Sequence, residues 1–126
     1  MRIGLEEARQ YWAHPSQADR GYTGADLPEW GDYWAEGGVC LMVHQSLWPG
    51  VLMAHLGVKP EAWGKAVEPV RRLLGEIMES EKPERIIAWV PESNRAVIAL
   101  LWRIGAVQDG GMPLQSGAVL QFGWSG

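Results

Sequence analysis

From residue 39 onward the apolar positions fall into two periods. Val39–Gln45 and Val51–Val58 are apolar runs of strand length. Between them Ser46-Leu47-Trp48-Pro49-Gly50 has the Pro-Gly chemistry of a turn, so the pair predicts a β-hairpin. Val67, Val70, Leu74, Ile77 and Met78 then recur at helical spacing, with Glu68, Arg71, Arg72, Glu76 and Glu79 mostly on the other side. That helix starts near Gly64, which places Pro69 near its first turn, and it stops at Lys82-Pro83. Arg85 to Val90 reads as a third strand. Pro91-Glu92-Ser93-Asn94 leads into a second helix with Val97, Leu100, Leu101 and Ile104 inward, closed by Gly105; Glu92 and Ser93 are read as capping residues beside Asn94. Ala106–Asp109 and Gly117–Trp124 give two last strands, with Gly110-Gly111-Met112-Pro113 as their connection.

The order from residue 39 is strand, strand, helix, strand, helix, strand, strand. A strand, a crossover helix and a following strand (51–58, 61–80, 85–90) form a right-handed parallel βαβ unit, and the hairpins on either side add antiparallel neighbours. The expected class is α/β or α+β with a mixed sheet. Before Gly37-Gly38 the pattern is looser. Leu5, Ala8, Tyr11 and Trp12 predict one short helix over 4–13. From His14 to Gly38 no period is sustained, and Trp30, Tyr33 and Trp34 have the spacing of a small helical patch after Pro28. A loop of this length in a compact domain is usually functional or covers something. The chain is therefore expected to be one domain over 1–126, with a helical and looping part over 1–38 and a sheet core over 39–126.

Composition narrows the classes. With 126 residues, 47% hydrophobic and 21% charged, the chain has a globular balance. Its formal net charge of −4 argues against a general nucleic-acid binder, which needs a basic surface. A single cysteine, Cys40, excludes an internal disulfide. Glu6 and Glu7 stand where a signal peptide needs an apolar core, and the longest apolar run, Ala96 to Trp102, is far below the ~20 residues that span a bilayer. A cytoplasmic protein is expected. The eight tryptophans show no repeat and are read as bulk for a small core that has one Phe and three Tyr.

Candidate chemistry begins at residues 56–66, where a strand runs into a loop and then a helix carrying Gly64. Free N–H groups and the dipole at a helix start favour an anion, Gly64 removes a blocking side chain, and Lys65 adds positive charge. A P-loop is excluded: Gly57 lies seven residues before Gly64, and Ala66 replaces the Ser or Thr needed for magnesium.

Val58-x-Pro60-Glu61-x-x-Gly64-x-Ala66, followed by the strand Ile86–Val90, Asn94 and Gly105-Ala106, resembles the GNAT acyltransferase superfamily. That family carries a Gln/Arg-x-x-Gly-x-Gly/Ala loop between a strand and a helix, then an Asn after the next strand with Gly-Phe eleven residues later. Glu61-Ala62-Trp63-Gly64-Lys65-Ala66 matches the loop except at its first position, and Asn94 to Gly105 keeps the spacing, with Ala106 in place of Phe. The resemblance covers residues 39–124 and is closest to short phage-encoded members, which often end this helix in Ile-Gly-Ala-Val, as Ile104–Val107 does.

The resemblance implies a GNAT-like mixed sheet, mostly antiparallel, with one parallel pair that splays and helices on its flanks. It implies acetyl-CoA as acyl donor, its pyrophosphate on the N–H groups of Glu61, Ala62, Trp63, Gly64, Lys65 and Ala66. The pantetheine arm would lie in a wedge between strands 51–58 and 85–90, paired with the backbone of Leu56 and Val58 and met by Asn94. An amine on a small molecule or protein would attack the thioester. Glu61 departs from the family's Gln or Arg, and Leu101 stands seven residues after Asn94, where the family has a Tyr that protonates the thiolate. The family's first strand is absent or very short before the 4–13 helix. His55, in the middle of its strand where several members place a catalytic His or Glu, is the candidate base, with His44 on the neighbouring strand as the second. Cys40, His44 and His55 could share a sheet face, but they lack a fourth ligand and zinc-type spacing, so no metal is expected. Arg71, Arg72 and Arg85 are read as solvated charges. The first reading is an acetyl-CoA-dependent N-acyltransferase, phage- or prophage-encoded, active in the host cytoplasm and free to form a homodimer, with the 14–38 segment covering the acceptor side. The alternative, supported by Leu101 and Glu61, keeps the fold but serves as a virion-associated or host-protein-binding structural protein.

Overall fold

The computed structural model describes residues 1–15 and 22–126. Seven strands form one sheet: β1 (Arg2–Ile3), β2 (Asp32–Glu36), β3 (Val39–Gln45), β4 (Val51–Val58), β5 (Arg85–Pro91), β6 (Val107–Met112) and β7 (Val119–Trp124), in the spatial order β1-β2-β3-β4-β5-β7-β6. All neighbours are antiparallel except β4 and β5. Among the described residues three α-helices flank it: α1 (Leu5–Ala8), α2 (Val67–Glu81) and α3 (Arg95–Arg103). The expected mixed, mostly antiparallel sheet with one parallel crossover is what forms.

Two expectations about the connections are corrected. Trp30, Tyr33 and Trp34 do not make a helical patch: Asp32–Glu36 is β2, paired along its length with β3 around a turn at Gly37 and Gly38, both at positive φ. Tyr33 and Trp34 therefore point to opposite faces, both buried. Gly110-Gly111-Met112 is not a connection but part of edge strand β6, which accommodates Gly110 through an irregularity after Gln108. In addition, the 4–13 helix resolves into α1 and a 3₁₀ turn over Arg9–Trp12. The 14–38 segment can be followed only in part, because residues 16–21 lie outside those described.

The alternation of side chains splits the core between the two faces of the sheet. One face carries Trp34, Leu41, Val43, Ile86 and Phe122 against Val70, Leu73, Leu74 and Ile77 of α2 and Ile98 of α3. Pro69 is the third residue of α2, where its missing N–H leaves no helical bond unmade. The opposite face carries Tyr33, Ala35, Cys40 and Met42 against Ala8, Trp12 and Leu27. Trp12 lies flat on Gly57, so a Cβ there would meet its ring atoms at 2.6 Å. Gly57→Ala should therefore lower stability by about 1–3 kcal/mol, the usual cost of overpacking, measured by urea unfolding. An unchanged midpoint would show that Trp12 moves freely.

Candidate active site

β4 and β5 pair only at Val51↔Arg85, Leu52↔Ile86 and Met53↔Ile87, although the two strands are eight and seven residues long. Beyond Met53 they diverge. Backbone polar groups alternate sides along a strand, and Lys59 turns its N–H to the Gly38 carbonyl on the β3 side. The regular β3–β4 register then gives the odd-numbered residues to β3 and turns the N–H and C=O of Leu56 and Val58 toward the gap. A groove of about 640 Å³ occupies this gap. Leu56, Val58, Ala62, Trp63, Gly64, Ala66 and Asn94 all line it. Glu61 and Lys65 lie on the same connection, exposed to solvent.

That connection supplies the polar end of the groove. Pro60–Ala62 forms a 3₁₀ turn, and the N–H groups of Ala62, Trp63 and Lys65 are consumed by the carbonyls of Lys59, Pro60 and Ala62. The N–H groups of Gly64, Ala66, Val67 and Glu68 find no acceptor among the described residues. They are the free donors at the start of α2, where the helix dipole also favours an anion. Gly64 sits at φ +79° with open space where a side chain would be. Lys59 places its ammonium 4.7 Å from the Tyr11 ring centre. The Tyr11 phenol is pushed up, first by burial and then by its electrostatic neighbours Cys40, Glu7 and Glu61.

Asn94 is the N-cap of α3, its Oδ1 accepting from the Val97 N–H at 3.4 Å. Glu92 does not cap α3. Its Oε1 accepts from the Ala118 N–H and ties the end of β5 to the chain before β7. Arg85 is not simply solvated either: it pairs with Asp109, which also accepts from Gln121, and Gln121 in turn accepts from Trp89 Nε1. Burial works against the Asp109 carboxylate, but the hydrogen bonds from Gln121 and Arg85 and the Arg85 charge hold its pKa below the usual range.

His55 lines the groove just past the last β4–β5 pair. His44 stacks on it with ring centres 5.2 Å apart, and their Nε2 atoms are 3.0 Å apart. Tyr22 meets His55 edge-on at 5.3 Å, and Trp30 meets His44 edge-on at 5.0 Å. Tyr22 also lines the groove. Its nearness to His55 has no local sequence signal, since it comes from a stretch without periodicity. Burial, and secondarily the neighbouring His44, lower the pKa of His55 to about 4. Folded protein thus binds less proton at this ring than unfolded protein does. Stability should be unaffected by His55 above pH 6.5 and should fall as the pH drops from 6.5 toward 4. His55→Phe should flatten that part of a stability-against-pH curve, and an equally steep curve would remove His55 as its cause.

Cys40, His44 and His55 do share a face through the pairs Cys40↔Gly57, Met42↔His55 and His44↔Met53. Cys40 is fully buried, and burial pushes its thiol up to about 12, so it packs as an apolar residue. No group of three metal-ligating side chains forms among the described residues. No helix among them is long and apolar enough to cross a membrane.

No family model and no curated protein matches the chain. Solved structures do. The ribosomal-protein-S5-alanine acetyltransferase of Vibrio fischeri aligns over 99% of this chain and 91% of its own, with TM-score 0.76 and 11% identity. A GNAT-family acetyltransferase of Bacillus anthracis aligns over 95% and 88%, with TM-score 0.71 and 14% identity. The aminoglycoside acetyltransferase AAC(6')-Ib, in complex with coenzyme A, aligns over 99% and 92%, with TM-score 0.73 and 15% identity. At these identities the likeness is one of fold: the splayed β4–β5 pair, the crossover helix between them and the seven-stranded order together are the GNAT acetyltransferase fold.

Proposed function

We propose that this chain is an N-acyltransferase that takes its acyl group from acetyl-CoA and gives it to an amine. One observation carries the reading: the β4–β5 ladder stops at Met53↔Ile87, so the backbone of Leu56 and Val58 faces a groove that reaches the free N–H groups at Gly64 and Ala66. An extended amide-bearing arm can add to the open edge of β4 as a strand would, and a diphosphate can rest on the amides that open α2. An N–H of β4 directed into the gap can polarise a thioester carbonyl. Asn94 holds the mouth of the wedge by fixing the start of α3.

His55 is the proposed base. At neutral pH its ring is uncharged, so it can accept a proton from the attacking amine. Leu101 offers no proton where the family's tyrosine stands, and reprotonation of the thiolate falls to water. The acceptor enters on the side of His55 and Tyr22, and Tyr22 is the described residue of the 14–38 segment that lines the groove. The Ile104–Val107 end of α3 supports placing the chain with the short phage-encoded members.

Thermal unfolding with acetyl-CoA tests the reading. Ligand at roughly 100 times its Kd stabilises the folded state by about 2.7 kcal/mol and raises the midpoint by several degrees. No rise at millimolar acetyl-CoA would reject it and favour the second reading, a fold kept for binding a protein partner, to which Leu101 lends support.

A further inference from the structure

The two candidate bases are not alternatives to each other; their geometry gives them an order. His44 Nδ1 lies 3.0 Å from the Gln45 carbonyl oxygen, which can only accept, so Nδ1 carries the proton. In the neutral ring Nε2 of His44 is then a lone pair. It lies 3.0 Å from Nε2 of His55, which must therefore donate. This leaves Nδ1 of His55 as the basic atom of the pair. From these contacts we propose that His44 and His55 form a directed proton path, with His55 Nδ1 as the atom that meets the acceptor amine and His44 as the positioning residue that receives the proton passed on. The inference rests on the acyltransferase reading above for its substrate, but not for its chemistry.

The proton balance is simple. The amine's nitrogen bonds to the acyl carbon as the acyl carbon–sulfur bond breaks; the departing thiolate takes its proton from water, and the N–H proton lost by the amine becomes N–H on His55 Nδ1. The Nε2 proton of His55 moves to Nε2 of His44, so His55 ends neutral and His44 ends as the cation. Both N–H groups of that cation are already matched, one by the Gln45 carbonyl and one by the lone pair then present on His55 Nε2. A cation kept on His55 would have only its Nε2–H matched, against His44. His44 then returns its proton to water. Among the described residues the titratable groups facing the pair are Tyr22, against His55, and Cys40, on the same face of β3, whose thiol stays protonated.

The first test needs no activity. Imidazole ¹⁵N spectra of the full chain at pH 7 should show His44 protonated at Nδ1 and His55 at Nε2. The reverse arrangement at either ring would overturn the path, even in a protein that transfers acyl groups. The second test uses His44→Gln, whose side-chain oxygen can still accept from His55 Nε2–H but cannot take its proton. The path predicts that kcat falls roughly tenfold, at the low end of what proton transfer contributes, that KM for acetyl-CoA is unchanged, and that the acidic limb of the kcat profile moves upward once the second ring is gone. Wild-type kcat and an unmoved limb in His44→Gln would mean that His44 only orients the ring. If neither wild type nor variant binds acetyl-CoA, the acyltransferase reading fails while the tautomer result still stands or falls by itself.

Discussion

Gly64→Trp removes acetyl-CoA binding while the fold persists. At φ +79° any side chain is strained, at a cost of about 1–2 kcal/mol, which a domain of this size survives. The indole would occupy the open space beside Gly64 and stand over the free N–H groups of Ala66 and Val67. The binding loss should be at least ~100-fold, equivalent to ~2.7 kcal/mol, because both the diphosphate contacts and the close approach go together. Titration calorimetry measures it. Gly64→Ala is the control: it carries the same backbone strain with little bulk, and it should bind acetyl-CoA far better than the tryptophan variant. Equal, strong binding by both variants would place the diphosphate elsewhere.

His55→Ala should lower kcat by ~10²-fold or more and leave acetyl-CoA affinity close to wild type, since a base contributes to proton removal and not to holding the donor. His55 is half-buried on the face opposite Leu56 and Val58, so its loss does not touch the open backbone edge. Steady-state rates at saturating acetyl-CoA, with a simple primary amine as acceptor, give the result. Retained turnover would remove His55 from the chemistry, and lost binding with lost turnover would mean that the ring shapes the wedge.

The parts of the fold visible in the sequence were those where one physical pattern dominates. The β3–β4 hairpin shows as two apolar runs around Pro49-Gly50, and α2 shows as one apolar stripe that ends before Pro83. β2 was hidden because both its faces are buried: Tyr33, Trp34 and Ala35 are consecutive apolar residues, and with Trp30 they imitate helical spacing. The second half of β6, beyond the Ala106–Asp109 strand that the sequence predicts, was hidden because Gly110 and Gly111 look like a turn. In the sheet, a Cβ at Gly111 would lie 2.8 Å from the Val119 carbonyl oxygen, so its lack of a side chain lets the edge strand approach β7. The wedge was legible as a strand, loop, Gly64 and helix in sequence. What could not be read was which amides remain free, because that depends on how the Pro60–Ala62 turn uses its own. The contact between His44 and His55 depends on the hairpin register, in which Met42 faces His55 and His44 faces Met53, and Tyr22 reaches His55 only through tertiary packing.

Amide NMR spectra recorded as acetyl-CoA is added report on the wedge most directly. Shifts at Gly64, Ala66 and Val67, together with Leu56 and Val58 on the open edge of β4, are the predicted result. A saturating titration in which those five amides stay still, or in which only residues on β1, β2 or α1 respond, would contradict it.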